Sequence, residues 1–543
     1  MSCMKWRENK LTKNTKKTLS PLIITAVAGI IAYYIYLPAL NFKSVAFWIY
    51  LIALVSLFVI SFITASAVNS SKNGYTAGII EKTGGIVIAS LIVVFIISIF
   101  ASSRLFNSSR YASLIKDYIR EADFSTYSAT LDNVPLLDKN SAIQISNREL
   151  GSLIDVVSQF ELGENEQITL NGRSVRVSPL YYGSFFKWIN NRNEGTPGYI
   201  RMDMMTQEAE LIRLKEGIKY SPSEFFGRDL RRHLRMKYPS AIFTSFNFEI
   251  NENGEPYWIV PVEKHTIGLF GGIDVDYVLV VHAINGDINK YPVGEVPQWI
   301  DNVYNSDLIM SQFDDYGSLQ NGYLNSKFGQ RGVKVTTDGY NYIPQSDDNW
   351  IYTGVTSVGR DESNIGFILS NKRTKETIYY PVSGAEEYSA MSSAEGVVQH
   401  LGYTSTFPLL LKVEGQPTYM MALKDAGGLV KMYGMVNVEK YQIVATGETI
   451  KACQQRYREL LKNNSMAVTE SETEHISGII EDIRTASIDG TTYYYIKLNL
   501  NESYFALSVK DNELIVLKEI GDTIFLDVDT KSTGEIRSAV LAE

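Results

Sequence analysis

The stretch GIVIASLIVVFIISIFA, residues Gly85–Ala101, decides how this chain is organised, because its 17 residues carry no charge. A helix rises about 1.5 Å per residue, so roughly 20 residues cross a hydrocarbon core of about 30 Å, and this run lies at the lower limit. Two longer uncharged runs precede it, at Pro21–Leu40 and Val45–Val68. The three runs predict that residues 1–104 form a membrane anchor of three transmembrane helices.

A cleavable signal peptide and the buried hairpin of a soluble protein are the alternatives to an anchor. A signal peptide has one short apolar region. Here the first run has 20 residues and the second begins after only four more. A buried hairpin rarely comes with three uncharged runs in succession. We therefore expect all three runs to remain in the mature protein as spans.

The charges that flank the runs predict the orientation, because Lys and Arg concentrate on the cytoplasmic side of membrane helices. The tail before Pro21 has six basic residues and one acidic residue. The second loop, Asn69–Gly84, has two basic residues and one acidic residue and fits a cytoplasmic turn. A multi-pass protein of the cell membrane is therefore predicted, with a cytoplasmic N-terminus and with residues 102–543 extracytoplasmic. Arg104 and Arg110, just past the third run, weigh against this orientation.

Charge also separates the anchor from the rest of the chain. Residues 1–104 carry a net charge of +8, which leaves −17 on residues 105–543 of the total of −9. An acidic soluble part argues against a nucleic-acid partner, which requires a basic face. The two cysteines, Cys3 and Cys453, are too few and too far apart for a disulfide framework.

Residues 105–160 are expected to form a helical connector. Tyr111–Ala122 places Leu114, Ile115, Tyr118 and Ile119 on one helical face. After a polar, turn-rich stretch, a second helix is predicted at Asn147–Phe160, with Asn147 as its N-cap.

Residues 161–462 contain four segments of one plan, an apolar strand, a polar excursion, a second strand, a tight turn and a short third strand. Their runs are rich in Val, Ile and Tyr, as is typical of strands in a covered sheet. Helix-like runs lie beside these strands. The strands and helices together predict repeated helix-plus-antiparallel-strand modules, and hence an α+β fold. The helix-like runs are Arg228–Lys237, Gly294–Tyr304, Gly384–His400 and Gly447–Leu461. The segments are Val175–Trp188, Gly198–Met205 and Ala209–Leu214; Tyr257–Gly272, Tyr277–Ile284 and Ile288–Val293; Asn349–Ser357, Ile365–Asn371 and Glu376–Val382; and Thr418–Asp425, Lys431–Val438 and Tyr441–Gly447.

The second segment carries a resemblance to a known family. Pro256–Val262 (PYWIVPV) and Val278–Ile288 (VLVVHAINGDI), with Asn285-Gly286-Asp287 at the hairpin turn, resemble the PepSY-type domain of bacterial propeptides and envelope proteins. The long excursion Lys264–Ile273 departs from that pattern, and the other segments match it less closely. The resemblance implies binding or restraint of extracytoplasmic peptidases rather than catalysis.

The last part of the chain is predicted to be a separate small domain. Residues 463–474 are polar and are typical of a linker. Residues 475–543 hold five short apolar runs joined by polar turns, at HISGIIEDIRTA, TTYYYIKLNL, YFALSV, ELIVLKE and TIFLDVD. These favour a small, OB-like β-barrel. Tyr493–Tyr495 are interpreted as core residues rather than as a stacking surface for nucleic acid, because the segment lacks a basic groove.

No residue set specifies a reaction, and no catalytic, metal or cofactor site is predicted. His265 near Asp274 and Asp276 is a conceivable site, but histidines in loops of this kind are usually structural or solvated. Two groups of side chains are candidates for ligand contact. The first is an aromatic group beside a polar loop, Phe185, Phe186 and Trp188. The second is the basic face of Arg228–Lys237, which suits anionic wall polymer or phospholipid head groups; its residues are Arg228, Arg231, Arg232 and Arg235.

The predicted function is a membrane-anchored extracytoplasmic binding or scaffold protein. Its partner would be a peptidase, another protein, a peptide or a cell-wall polymer, bound through a sheet edge. An envelope hydrolase with a dispersed active site and a cytoplasmic regulatory domain tethered to the membrane are the alternatives.

Overall fold

The computed structural model describes most of the chain. The described residues are 21–69, 74–129, 131, 135, 137–357, 363–468, 473–488, 491–499, 501–509, 512–529 and 534–542. Contacts divide the chain into two units, Met1–Leu460 and Leu461–Glu543. Each is described by itself. The mixed α+β class predicted from the sequence is confirmed.

Three apolar helices begin the first unit, α1 (Pro21–Tyr36), α2 (Val45–Asn69) and α3 (Gly74–Ala101). Among the described residues, two segments are long and apolar enough to cross a membrane, Val45–Ala65 and Glu81–Ala101. The helix α1 is shorter than the predicted run Pro21–Leu40. It ends because Leu37 has a φ of +49° and precedes Pro38, and a residue before proline disfavours helical backbone.

The segment 74–84, predicted as part of a loop, belongs to α3 instead. Residues 70–73, between α2 and α3, lie outside the described residues. A Cβ on Gly84 would lie 2.7 Å from the side chain of Val59, so this glycine lets α2 and α3 approach closely.

The connector differs from its prediction. The helix α4 (Arg104–Ala112) ends early, and Ile119–Glu121 is a strand, β1, so the predicted helix Tyr111–Ala122 is wrong. The helices α5 (Lys139–Ser152) and α6 (Ile154–Val157) replace the predicted helix Asn147–Phe160. The Asp138 carboxylate caps α5 by accepting the Ser141 N–H at 2.9 Å, which starts the helix eight residues before the expected cap.

Two antiparallel sheets follow, and they share a core. The first has the order β2-β4-β5-β6, with β3 also paired to β4, and α7 (Phe185–Asn191) lies between β4 and β5. The second has the order β10-β9-β8-β7 and follows α8 (Leu230–Lys237). Val177 and Tyr199 of the first sheet pack in one cluster with Trp258 and Leu279 of the second. The strands are β2 (Phe160–Leu162), β3 (Glu166–Leu170), β4 (Arg173–Tyr182), β5 (Thr196–Asp203), β6 (Ala209–Ile218), β7 (Asn247–Ile250), β8 (Pro256–Ile267), β9 (Gly271–His282) and β10 (Ile288–Pro292).

Most strands of the third sheet follow α9 (Ser306–Leu319), and β1 joins them from earlier in the chain. The order is β1-β15-β14-β13-β11, with β1 parallel to β15; β12 also pairs with β13, and β16 with β14. The predicted helix at Gly294–Tyr304 is wrong, because that segment is mostly irregular and its helix begins at Ser306, where Asn305 provides the cap. The fourth sheet has the order β17-β19-β20-β21, with β18 paired to β19, between α10 (Glu387–Val397) and α11 (Ile450–Asn463). The strands are β11 (Lys334–Thr336), β12 (Asn341–Gln345), β13 (Asp348–Ser357), β14 (Ser363–Asn371), β15 (Thr377–Tyr380), β16 (Gly384–Ala385), β17 (Thr404–Ser405), β18 (Leu409–Val413), β19 (Gln416–Lys424), β20 (Val430–Asn437) and β21 (Val444–Gly447).

Each of the four sheets contains three consecutive antiparallel strands where the sequence predicted them. The exception in detail is Val175–Trp188, where the strand stops at Tyr182 and Phe185–Trp188 are helical. That the four sheets are repeats of one module stays a prediction.

The second unit contains a closed five-stranded barrel of order β22-β23-β24-β26-β25, in which β24 and β26 pair in parallel. The predicted strand ELIVLKE is wrong, because Glu513–Leu517 forms a short 3₁₀ helix, and the fifth strand is the unpredicted Ile536–Leu541. Ile496 and Phe505 are in its core, and Tyr494 packs against it. The strands are β22 (Thr473–Ile488), β23 (Thr491–Leu498), β24 (Tyr504–Ser508), β25 (Thr523–Asp529) and β26 (Ile536–Leu541).

Candidate functional site

The end of α8 is bound to the loop between α1 and α2. The Leu40 N–H donates to the Pro239 carbonyl at 2.7 Å, and the Asn41 side-chain amide donates to the Ser240 carbonyl at 3.1 Å. The Arg235 Nε donates to the Leu37 carbonyl at 3.0 Å. These hydrogen bonds hold the chain that leaves α1 against α8 and the loop that follows it.

The β8–β9 hairpin tip is bound to the ends of α2 and α3. The Ser102 hydroxyl accepts hydrogen bonds from the N–H groups of Leu269 at 3.0 Å and Phe270 at 3.1 Å. The Phe270 ring lies 5.4 Å from that of Phe95 and 6.5 Å from that of Trp48. The end of α1, the start of α2 and the end of α3 therefore all meet one face of the soluble part.

The aromatic candidates lie beside a second aromatic pair that the sequence analysis missed. Phe185 and Trp188 of α7 have ring centroids 5.0 Å from that of Phe225, and Phe226 lies 5.7 Å from Trp188. Phe186 is 76% exposed and Phe226 is 57% exposed. Trp188 is only 5% exposed, and its ring packs against those of Phe185, Phe225 and Phe226 on their buried side.

Two hydrogen bonds to the Glu224 carboxylate fix this arrangement. The Trp188 Nε1 donates to it at 2.6 Å, and the Tyr182 hydroxyl donates to it at 3.0 Å. Burial raises the pKa of Glu224. Because Phe225 and Phe226 directly follow Glu224, this carboxylate positions the chain that carries them.

The basic candidates border the same rings. The Arg232 Nη1 donates to the Phe226 carbonyl at 2.8 Å, and the Arg228 Nη1 donates to the Arg192 carbonyl at 2.6 Å. Arg231 is exposed. We define the aromatic–basic surface as the side chains of Phe185, Phe186, Phe225, Phe226, Arg228, Arg231 and Arg232. The structure thus brings together two groups that the sequence placed forty residues apart.

Arg235 is the one candidate that faces inward. It is 4% exposed, and its guanidinium lies 4.3 Å from the Phe243 ring. Its Nη1 donates to the carbonyls of Tyr238, Pro239 and Ala241. Burial lowers the pKa of this guanidinium to about 10. Arg235 therefore holds the α1–α2 loop to α8, and its inward position does not suit contact with an external ligand.

A cavity of about 790 Å³ lies between α4, α9 and residues 323–340. We call it the acidic cavity, because it is lined by Asp307, Asp314, Asp315 and Asp338 against Arg104 and Lys327. The Arg104 guanidinium binds Asp315 through its Nε at 2.5 Å and its Nη2 at 3.0 Å. The Asp314 carboxylate accepts the Thr336 N–H at 2.7 Å.

The other two carboxylates of the acidic cavity are uncommitted. Within the described part of the chain, the side chains of Asp307 and Asp338 make no hydrogen bond or ion pair, and both are exposed. The rings of Tyr323 and Tyr340 also line the cavity. The Lys327 Nζ already lies 5.9 Å from the centre of the Tyr323 ring, so the cavity offers negative charge and the Tyr340 ring to a cationic group.

A buried polar cluster joins the first three sheets. The Glu249 carboxylate of β7 accepts the N–H groups of Asp301 at 2.9 Å and Asn302 at 2.8 Å. The Asp301 carboxylate in turn accepts the N–H groups of Thr169 in β3 at 2.5 Å and Asn349 in β13 at 2.8 Å.

Lys372 supplies the positive charge of this cluster. Its Nζ donates to the Asn302 side chain and lies 4.6 Å from the centre of the Tyr342 ring. Burial raises the pKa of Glu249 to about 7, and burial together with the Glu249 charge raises the pKa of Asp301. Because all three charged groups are almost fully buried, the cluster holds the sheets together and is closed to a substrate.

Histidine and metal chemistry find little support in the described residues. No group of three or more His, Cys, Asp and Glu side chains there is placed to hold a metal ion. Asp274, which the sequence suggested as a partner of His265, instead binds the Lys375 Nζ at 2.9 Å.

Comparison with known proteins adds no assignment. No protein-family model matches this chain, and no curated protein is significantly similar to it.

Proposed function

We propose that this is a membrane-anchored extracytoplasmic binding protein, in which α1–α3 span the membrane and the four sheets form a platform on its outer face. The observation that supports this most is the seating of the soluble part on the ends of all three apolar helices. Helix ends that meet one face fit three successive crossings, because α1 and α3 end on the side where α2 begins. At 16 residues α1 spans about 24 Å, less than a hydrocarbon core of about 30 Å, and Leu37–Leu40 lie beyond it against the soluble part.

The orientation is proposed from the charges of the N-terminal tail, which favour the cytoplasm, and from Lys72 and Lys82 between the second and third apolar runs. The soluble part is then outside. The acidic character of residues 105–543 is compatible with this, since long domains cross largely regardless of their charge.

Thiol labelling in intact cells tests this topology. The native Cys3 lies in the tail, and Cys453 is fully buried. We expect the wild type to react with a membrane-impermeant maleimide only after permeabilisation. A Cys3→Ser, Tyr441→Cys variant should react in intact cells, because Tyr441 is exposed in the fourth sheet. The reverse pattern would mean that the soluble part is a cytoplasmic domain.

We further propose that the acidic cavity binds a cationic group of a peptide, such as a lysine side chain or an amino terminus. The uncommitted carboxylates of Asp307 and Asp338 and the neighbouring tyrosines support this choice. The resemblance of Pro256–Val262 and Val278–Ile288 to PepSY-type domains, which implies a peptidase partner, is consistent with a peptide ligand.

Replacing both uncommitted carboxylates should weaken binding of a tetralysine peptide. Exposed charge pairs each contribute up to about 1 kcal/mol, so we expect the dissociation constant of Asp307→Asn/Asp338→Asn to rise by up to about thirtyfold. The difference should shrink at high salt. Isothermal titration of the detergent-solubilised protein measures it.

The matched control for this experiment is Glu439→Gln/Glu448→Gln, which removes two exposed carboxylates from the fourth sheet and leaves the cavity unchanged. An equal loss in both variants would show that net charge alone, and not the cavity, attracts the peptide.

The finer architecture is proposed on the same basis. The three-strand plan common to the four sheets supports repeated modules, and the closed five-stranded barrel with one parallel pair supports an OB-like C-terminal domain.

A further inference from the structure

We propose that the aromatic–basic surface rests in the headgroup layer of the bilayer leaflet that receives the end of α1, and that it binds anionic phospholipid there. This inference rests on the proposed function, because it requires α1–α3 to be in a membrane. It adds a second, peripheral contact with the bilayer, made by parts of the soluble region that are remote from the helices in sequence.

The first argument is continuity with the helix end. The Arg232 guanidinium lies 4.4 Å from the centre of the Tyr34 ring, in the last turn of α1. The same guanidinium donates to the Phe226 carbonyl. One side chain therefore spans from the end of the apolar helix to the aromatic–basic surface, which places that surface at the level where α1 leaves the hydrocarbon.

The second argument is the chemistry of the rings. Phe185, Phe186, Phe225 and Phe226 form a contiguous exposed group, with Phe186 facing solvent most fully. Single exposed apolar residues are common on soluble proteins, but a contiguous patch marks a contact with another apolar phase. Aromatic residues are enriched at the membrane interface, where one side of a ring is apolar and the other is wet. Tyr34 and Tyr36 at the end of α1 are exposed at this same level.

The third argument is charge. Arg228 and Arg232 donate to main-chain carbonyls beside the rings, and Arg231 is exposed on the same helix, 5.8 Å from the Phe246 ring, although residues 105–543 carry a net charge of −17. Two neighbouring carboxylates are engaged: Asp229 caps α8 through the Arg232 N–H at 2.8 Å and lies 3.9 Å from the Arg232 guanidinium, and Glu224 is buried beneath the rings. The local excess of positive charge therefore complements phosphate headgroups, which attract basic residues within a Debye length of the surface.

Spin labels on single cysteines in nanodiscs test the proposal in the full chain. In a Cys3→Ser background we compare Phe186→Cys with Ile97→Cys, an exposed position of α3, and with Tyr441→Cys in the fourth sheet. Oxygen, which concentrates in lipid, and a water-soluble nickel chelate report which phase each label meets. Nanodiscs of phosphatidylglycerol and of phosphatidylcholine separate apolar contact from headgroup charge.

In phosphatidylglycerol we expect the label at 186 to be protected from the chelate like the label at 97, while the label at 441 is reached by it. Protection at 186 should be lost in phosphatidylcholine, and also when Arg228→Gln and Arg231→Gln are added. A label at 186 that is as accessible as that at 441, with 97 protected, overturns the proposal and leaves the anchor intact. Protection that is equal in both lipids overturns the binding of anionic headgroups. Chelate access at 97 would overturn the anchor itself.

Discussion

The variant Lys372→Met should unfold far more readily than the wild type, with a loss of about 3–5 kcal/mol in the free energy of unfolding. Lys372 donates to the Asn302 side chain, and its charge lowers the pKa of Glu249 and of Asp301. Removing one charge from such a buried charged cluster typically costs about this much. Here the remaining carboxylates are those of Glu249 and Asp301, which bind main-chain N–H groups from three different segments. Thermal unfolding of the detergent-solubilised protein, followed by circular dichroism, measures the change.

A control and a second variant make this result specific. Lys440→Met removes an exposed lysine of the fourth sheet and should change stability by less than about 0.5 kcal/mol. Above pH 7, where Glu249 is ionised, Glu249→Gln in the Lys372→Met background should recover part of the loss, because a neutral amide replaces the charged carboxylate. If Lys372→Met is as stable as Lys440→Met, the cluster does not hold the sheets together.

The same cluster gives stability a dependence on pH, with a sign that follows from Glu249. Its pKa is raised to about 7 in the folded protein, so the folded state keeps a proton that the unfolded state has already released. The resulting contribution to stability is fully present below the ordinary pKa of a glutamate and is lost as the pH rises through about 7. Glu249→Gln should flatten this part of the stability profile.

Arg235→Met should release the α1–α2 loop from the soluble part. Four carbonyls, those of Leu37, Tyr238, Pro239 and Ala241, would lose a charged donor in a buried site. Hydrogen bonds to charged groups contribute about 1.5–3 kcal/mol each when measured singly and do not add fully, so we expect a loss of about 3 kcal/mol or more. Hydrogen exchange at the Leu40 amide, which is bound to the Pro239 carbonyl at 2.7 Å, reports the release directly.

Arg231→Met is the matched control, since Arg231 lies on the same helix but is exposed. We expect it to leave the exchange of the Leu40 amide unchanged. Faster exchange in both variants would point to a general weakening of α8 instead of to the bonds of Arg235.

The strands were predictable where apolar, β-branched runs are long, as in β8, β9 and β14. Such side chains fit the pleated, buried face of a sheet, and few other secondary structures suit them. Helix starts were harder. The helix α5 begins at the cap Asp138, inside a stretch that is polar in composition. What marks it as a helix start is the hydrogen bond from the Ser141 N–H to the Asp138 carboxylate, which the sequence does not reveal. In the barrel, the apolar run at Glu513–Leu517 has the composition of a strand but forms a 3₁₀ helix, which periodicity over so few residues does not resolve.

The candidate surface was predictable in its residue types but not in its assembly. Aromatic and basic side chains indicated two separate contacts, at Phe185–Trp188 and at Arg228–Lys237. Their meeting depends on Glu224, which binds Trp188 and so brings Phe225 and Phe226 beside α7. The inward turn of Arg235 depends on the carbonyl of the distant Leu37 as well as on the nearby carbonyls of Tyr238, Pro239 and Ala241, and no local pattern in the sequence encodes the contact with Leu37.

The ion pair between Arg104 and Asp315 has a mechanical consequence. Arg104 lies three residues beyond the end of α3, and Asp315 forms part of the wall of the acidic cavity. If α3 spans a bilayer, a thinner or thicker bilayer changes its tilt, and the short rigid link through Ser102 and Arg104 passes that tilt to the cavity wall. The affinity of the acidic cavity for a cationic ligand would then vary with lipid chain length, because Arg104 links the end of α3 to the cavity wall.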